Sequence, residues 1–180
     1  MTLDATNRTD TSSDRSGAAA WLALLGWIGL VAIAGAIGAI GSIDAATFYA
    51  ELVRPSWAPP AWLFGPAWTV LYLLMGTAAW LVWRTRPATE DQATSRRRGL
   101  ALFVGHLVLN ALWSWIFFRW HQGALAFAEV IVFWIAIAVT MTQFARVKRA
   151  AAWCLVPYLL WVTFASALTW AVWQANPGRL

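Results

Sequence analysis

Charge is scarce in this chain. Of its 180 residues, 12% are Asp, Glu, Lys or Arg and 61% are hydrophobic. A soluble domain carries about 25% charged and about 45–50% apolar residues. A soluble fold of this length still leaves roughly 30% of its chain surface in water, so it has nowhere to hide so much apolar surface. A soluble globular domain is therefore excluded, and disorder is excluded everywhere except at the N-terminus. Cysteine is almost absent: Cys154 alone can neither close an internal disulfide nor be half of a CxxC metal site. No paired acid and base, nucleophile elbow or metal cluster is visible, so hydrolytic chemistry has no apparatus and no metal is assigned. The formal charge of +5 does not point to nucleic acid. The basic residues sit between apolar runs, as membrane topology signals do, and form no polar stripe.

What is abundant is tryptophan: 15 Trp beside 3 Tyr and 9 Phe. That is more than a lipid-facing belt needs. Long uncharged stretches cover 16–43, 55–83, 99–118 and 150–178, and 120–145 is interrupted only by Glu129. A membrane-crossing helix takes about 20 mostly apolar residues. Backbone groups in lipid must be satisfied internally, so each run is a helix. The expectation is an all-α bundle of five transmembrane helices, near 18–40, 61–83, 99–118, 122–145 and 151–174. The five-helix domain runs over 18–176, and residues 1–17 form a disordered polar tail. The first run is too long for a cleaved signal peptide and lacks a basic stretch before it.

If the N-terminus lies on one side, that side holds ten Lys and Arg, eight of them at Arg84, Arg86, Arg96–Arg98 and Arg146–Arg149. The other side holds three, Arg54, Arg119 and Arg179. Basic loops stay in the cytoplasm, so the N-terminus is expected inside a cell membrane, of bacterial type, and the C-terminus outside. Residues 85–98 are expected to be a charged inner loop. The long outer loop, 41–60, carries Phe48, Tyr49, Leu52, Val53 and Trp57 before the Pro59-Pro60 pair. Long loops in compact domains are lids or disordered, and this composition reads as a lid. Asp44 is placed to cap a short helix over 44–52, and the proline pair fixes how the chain starts span two.

Polar groups inside a membrane are costly and face the bundle interior. His106, Asn110, Trp113 and Phe117 share one helical face, as do Trp68, Tyr72 and Met75, and Pro157, Trp161, Ala165 and Leu168. At about 1.5 Å per residue, Trp113, Asn110, Trp68, Glu129 and Ala165 lie about 8–13 Å below the outer ends of their spans, and Trp161 about 20 Å. Convergence of these faces makes a cavity in the outer half of the bundle, roofed by the 41–60 loop. Aromatic walls with a few placed polar groups suit a flat apolar ligand. Trp21, Trp80, Trp83, Trp153, Trp170 and Trp173 read as an interfacial belt. Trp68, Trp113 and Trp161 are too deep for one and read as pocket lining, with core packing as the alternative. His106 reads as an interhelical hydrogen-bonder rather than a haem ligand, and Asn110 as both clamp and wall. For Glu129 a structural role and a ligand or proton-carrying role both stay open. Small residues at Ala34, Gly38 and Ser42 permit close helix packing in span one.

Three stretches, WAPPAWLFGPAWTVLYLLMG (57–76), GHLVLNALWSWIFF (105–118) and VPYLLWVTFASALTW (156–170), resemble the signatures of the tryptophan-rich sensory protein and translocator protein family. It is also called TspO/MBR or the peripheral-type benzodiazepine receptor family. The similarity covers residues 20–174. It implies a receptor, commonly a homodimer, that binds porphyrins such as protoporphyrin IX in stress- or light-linked tetrapyrrole regulation and requires no cofactor. The family's ligand positions fall on Trp57, Trp68, Asn110, Trp113, Trp161, Ala165 and Leu168, with an acidic residue also at Glu129. Trp68 and Trp161 would be the catalytic pair if porphyrin is broken down by light and oxygen. The sterol motif of animal relatives is broken at Trp170 and Gln174. Porphyrin transport ranks third, because no internal repeat or broken helix pair is seen.

Overall fold

A computed structural model describes residues 10–180, with side chains from residue 17 on. The first nine residues of the expected polar tail lie outside the described residues. The long helices are α1 (Asp10–Gly41), α3 (Phe64–Arg84), α4 (Glu90–Ser114), α5 (Gly123–Val147) and α6 (Arg149–Ala175), with a short α2 (Ala45–Glu51) between the first two. The described residues are helical with no strand. Five segments are long and apolar enough to cross a membrane: Gly17–Gly41, Ala61–Arg84, Glu90–Arg119, Gly123–Val147 and Arg149–Ala175.

The five long helices close a ring. Going around it, α1 packs on α3, α3 on α6, α6 on α5, α5 on α4, and α4 back on α1. The core inside the ring is built from Met75, Phe103, Ile137, Phe144, Leu155 and Tyr158, each 0% exposed. Outward-facing residues such as Leu22, Leu25, Val108, Val132 and Leu160 stay exposed along the spans, as a lipid-facing surface requires. Small residues set the helix spacing. A Cβ on Gly76 would lie 2.8 Å from Ile28 Cγ1, so α1 and α3 touch there through a missing side chain. Gly99 plays the same part between α4 and α5, where a Cβ would meet Phe144 at 3.0 Å. Gly38 of the small-residue stripe faces Ala111 and Ser114 of α4 within the same chain.

Three local features differ from the sequence reading. The charged segment 85–98 is not all loop. Helix α4 begins at Glu90, because the Thr89 hydroxyl accepts from Gln92 N while Gln92 Oε1 accepts from Ala88 N. Reciprocal capping of this kind satisfies the free N–H groups of a first turn, and Glu90 and Asp91 suit the positive helix end. At its other end α4 widens into one π turn, Trp115–Arg119, closed by Trp120 N to Trp115 O at 2.9 Å. In α2, Asp44 stands at the cap position, but its side chain makes no capping bond. The proline pair acts as expected: Pro60 is extended, Leu63 N donates to Pro60 O, and one 3-10 turn leads into α3.

Candidate functional site

The half of the ring away from the basic loops encloses a cavity of about 440 Å³. All five long helices and α2 contribute to its wall. Trp68 and Tyr72 come from α3, Asn110 and Trp113 from α4, and Trp161, Ala165 and Leu168 from α6. Gly35 and Gly38 of α1 and Ser42 just after it supply a thin wall, since none carries a large side chain. The volume falls inside the range of about 300–1,000 Å³ of small-molecule sites.

One polar line crosses the bottom of this space. Tyr72 Oη donates to Asn110 Oδ1 at 3.2 Å, and Asn110 Nδ2 donates to Tyr158 Oη at 3.4 Å. The amide thus joins α3, α4 and α6, as its position on the interior face of α4 predicts. The aromatic rings are stacked against one another. Trp68 lies 5.2 Å from Tyr72, Trp113 lies parallel to Phe117 at 5.2 Å and 9°, and Trp161 packs edge-to-face with Phe64 and tilted on Phe164. Such packing fixes ring orientation, which lets a preformed slot present indole faces. Trp113 Nε1 is buried with no hydrogen-bond partner among the described residues. Trp113 therefore lines the cavity with its ring, while its N–H is buried in the wall.

The roof is the 42–60 segment. Tyr49 of α2 is buried, lines the cavity and donates from Oη to Pro59 O at 3.2 Å. Burial pushes the Tyr49 phenol above its usual value, while the Arg54 guanidinium, 4.7 Å over the ring, pulls the other way. Three contacts hold the roof down. Asn176 accepts from Val53 N and donates to Val53 O, both at 2.9 Å. Phe48 stacks on His121 at 4.1 Å and 18°. Arg179 pairs with Glu51 at 3.2 Å, an exposed bridge of little energetic weight. His121 holds a left-handed backbone, φ 54°, which is uncommon outside glycine and is sustained here by the turn between α4 and α5.

Two expected ligand positions are not on the wall. Trp57 is 49% exposed and packs its ring on Phe164, so Phe164 separates it from Trp161. The turn from Pro55 to Ala58 turns it outward. Glu129 is buried two turns into α5, but Val130 and Phe133 supply that helix's share of the lining. Neither Glu129 oxygen has a partner among the described residues. His106 does not act as the expected interhelical hydrogen-bonder. Among the described residues neither of its nitrogens has a partner, and the ring is packed among Phe103, Phe133 and Tyr158. Trp80 has a further role, since its Nε1 donates to Ala20 O and ties α3 to α1. Among the described residues no group of three His, Cys, Asp or Glu is placed to hold a metal.

Residues 27–174 match the sequence profile of the TspO/MBR family. The chain belongs to that family. Similar TspO/MBR proteins include the tryptophan-rich protein TspO of Chlorobaculum tepidum, 42% identical over 74% of this chain and 82% of its own length. Protein CrtK of Rhodobacter capsulatus is 40% identical over 73% of this chain and 80% of its own. The human translocator protein is 37% identical over 73% and 76%. Family membership and five apolar helices together make this an integral membrane protein whose partner is the lipid bilayer. Within this TspO/MBR chain, Trp115 and Phe64 carry weight that the sequence did not signal. Trp115 Nε1 donates to Ile37 O at 2.9 Å and pins α1 to the π turn, and Phe64 links Tyr49 to Trp161. An indole N–H bond to a neighbouring backbone leaves no trace in periodicity.

Proposed function

We propose that this TspO/MBR protein is a membrane receptor for porphyrins and related flat tetrapyrroles, acting in stress- or light-linked tetrapyrrole regulation. The observation that carries the reading is the single cavity where Trp68, Trp113 and Trp161 meet around Asn110. Indole faces stack on a planar macrocycle, each good aromatic contact adding about 0.5–1.5 kcal/mol beyond area burial. The Asn110 amide on the cavity wall suits the ring's polar edge. The chain's own groups supply shape, stacking and one hydrogen-bonding amide, and the ligand needs no metal from the protein. Orientation belongs to the same proposal. The basic end, with Arg84–Arg98 and Arg146–Arg149, faces the cytoplasm of a bacterial-type membrane, and the roof faces outward. Titration with protoporphyrin IX, following tryptophan fluorescence, tests the reading. Saturable quenching is expected. Quenching no better than that of a tryptophan-poor membrane protein in the same detergent contradicts it.

A second reading, porphyrin breakdown by light and oxygen, draws on Trp68 and Trp161 lying on the same wall. A homodimer is proposed from family resemblance. Gly38 packs on α4 and Ser42 lines the cavity, so the stripe of small residues in span one is not what supports it.

A further inference from the structure

The opposite end of the bundle holds a second hollow, a polar cleft of about 600 Å³ between α4 and α5. Its wall includes Thr89, Gln92, Ser95 and Arg98 from the start of α4, and Gln143 and Arg146 from the end of α5. The two helices close tightly at Gly99, where a Cβ would touch Phe144 and Gln143. Nearer the end of the bundle Gln92 Nε2 joins them, donating to the Arg146 and Val147 carbonyls at 3.3 Å.

The cations around this end are not equivalent. Arg96 is engaged with the carbonyls of Val82 and Trp83, which end α3. Arg84 lies over the Trp80 ring at 4.4 Å. Arg98 and Arg146 both line the cleft, and among the described residues neither guanidinium has a hydrogen-bond or ion-pair partner. Among the described residues Asp91 is the one acidic group on the wall beside the two arginines, so they give the site a net positive charge. Its depth is also fixed by sequence. Arg98 directly precedes the uncharged run 99–118, and Arg146 directly follows the uncharged run 130–145. Both forks therefore stand where apolar span gives way to polar surface, the level of lipid phosphates.

We infer that this cleft is a binding site for a phosphate ester, taken from the headgroup of an anionic lipid. Two guanidinium forks grip one phosphate at several N–H groups, as arginine does wherever planar, bidentate recognition is needed. Thr89 and Ser95 hydroxyls and the Gln143 amide are on hand for a glycerol headgroup. Basic pockets between spanning helices on the cytoplasmic side take anionic headgroups. The site is separate from the aromatic cavity and owes nothing to it.

The test uses the intact protein in a neutral detergent. Short-chain phosphatidylglycerol, phosphatidylcholine of equal chain length and inorganic phosphate are added in turn. Thermal unfolding gives the midpoint, and native mass spectrometry counts retained lipid. Phosphatidylglycerol is expected to raise the midpoint saturably and to be retained at one per chain. Replacing both forks, Arg98→Gln with Arg146→Gln, weakens that effect by on the order of tenfold. An Arg86→Gln with Arg149→Gln pair makes the same charge change outside the cleft and keeps the effect. Protoporphyrin quenching stays unchanged in both pairs, which separates this site from the proposed receptor cavity. Equal loss in the two pairs means diffuse surface charge and overturns the inference. So does an equal response to phosphatidylcholine, and an equal response to inorganic phosphate overturns the lipid source. Should the cleft pair fail to fold, the unaltered protein decides, because retaining phosphatidylglycerol no better than phosphatidylcholine refutes the site.

Discussion

Tyr72 donates its phenolic hydrogen to Asn110, tying α3 to α4 at the bottom of the aromatic cavity, and Asn110 passes the connection on to Tyr158 of α6. One amide therefore holds three helices at the depth where the cavity begins. Replacing Asn110 with Ala leaves two phenols without their amide partner, and Tyr158 is fully buried. An unsatisfied buried polar group costs about 1–3 kcal/mol. Asn110→Ala is expected to lower stability by that order in detergent unfolding. Tyr72→Phe removes one bond only and is expected to cost about 0.5–1.5 kcal/mol.

Asn176 is the fastening of the roof, through its two bonds to Val53 and a third to Val172 O at 2.7 Å. In Asn176→Ala the Val53 amide loses its acceptor, and residues 45–58 keep their aromatic packing, Phe48 on His121 and Phe117 and Trp57 on Phe164, with an exposed ion pair. Hydrogen exchange at Val53 is expected to speed up while amides of α5 stay as slow as before. A uniform change across the chain would mean that Asn176 serves global stability instead.

Two glycines give opposite answers to the same substitution. Gly76→Ala drives a methyl into Ile28, including its backbone Cα at 3.0 Å, and overpacking of this kind costs about 1–3 kcal/mol. Gly29 has nothing within 4 Å of its would-be Cβ, so Gly29→Ala is expected to be neutral or to stabilise α1 by up to about 1 kcal/mol. Thermal midpoints of the two variants check the pair.

The five spans were legible because charge marks where helices leave the apolar layer, and Arg54, Arg84, Arg98, Arg119 and Arg146 stand near those limits. Where a helix begins is a different matter. Glu90 starts α4 within a charged stretch because Thr89 and Gln92 cap it, a signal carried by two residues rather than by hydropathy. The cavity faces of α3, α4 and α6 followed from helical spacing, so Trp68, Asn110, Trp113, Trp161, Ala165 and Leu168 meet on one wall. Spacing on one helix says nothing of the neighbour's angle, which is why Glu129 and Trp57 look equivalent to the wall residues in sequence and are not. The π turn at Trp115–Arg119 was invisible for a related reason: a five-residue widening shifts register without changing composition.

Trp161 separates the receptor reading from the breakdown reading. Phenylalanine there keeps an aromatic plate against Phe64 and Phe164 but removes the indole. Trp161→Phe is expected to bind protoporphyrin within a few-fold of the unaltered protein. If illuminated porphyrin then disappears equally fast with both proteins, the loss is free photochemistry, and Trp161 has no part in it.

The cavity itself is tested most directly by filling it. Ala165 lies on its wall, whereas Leu160, on the same helix, is 63% exposed. Equilibrium binding of protoporphyrin IX is to be measured for Ala165→Trp and for Leu160→Trp beside the unaltered chain. One porphyrin per chain is expected for the unaltered protein and for Leu160→Trp, and lost binding for Ala165→Trp. Unchanged binding by Ala165→Trp would place the pigment outside the ring of helices and refute a ligand site in the cavity.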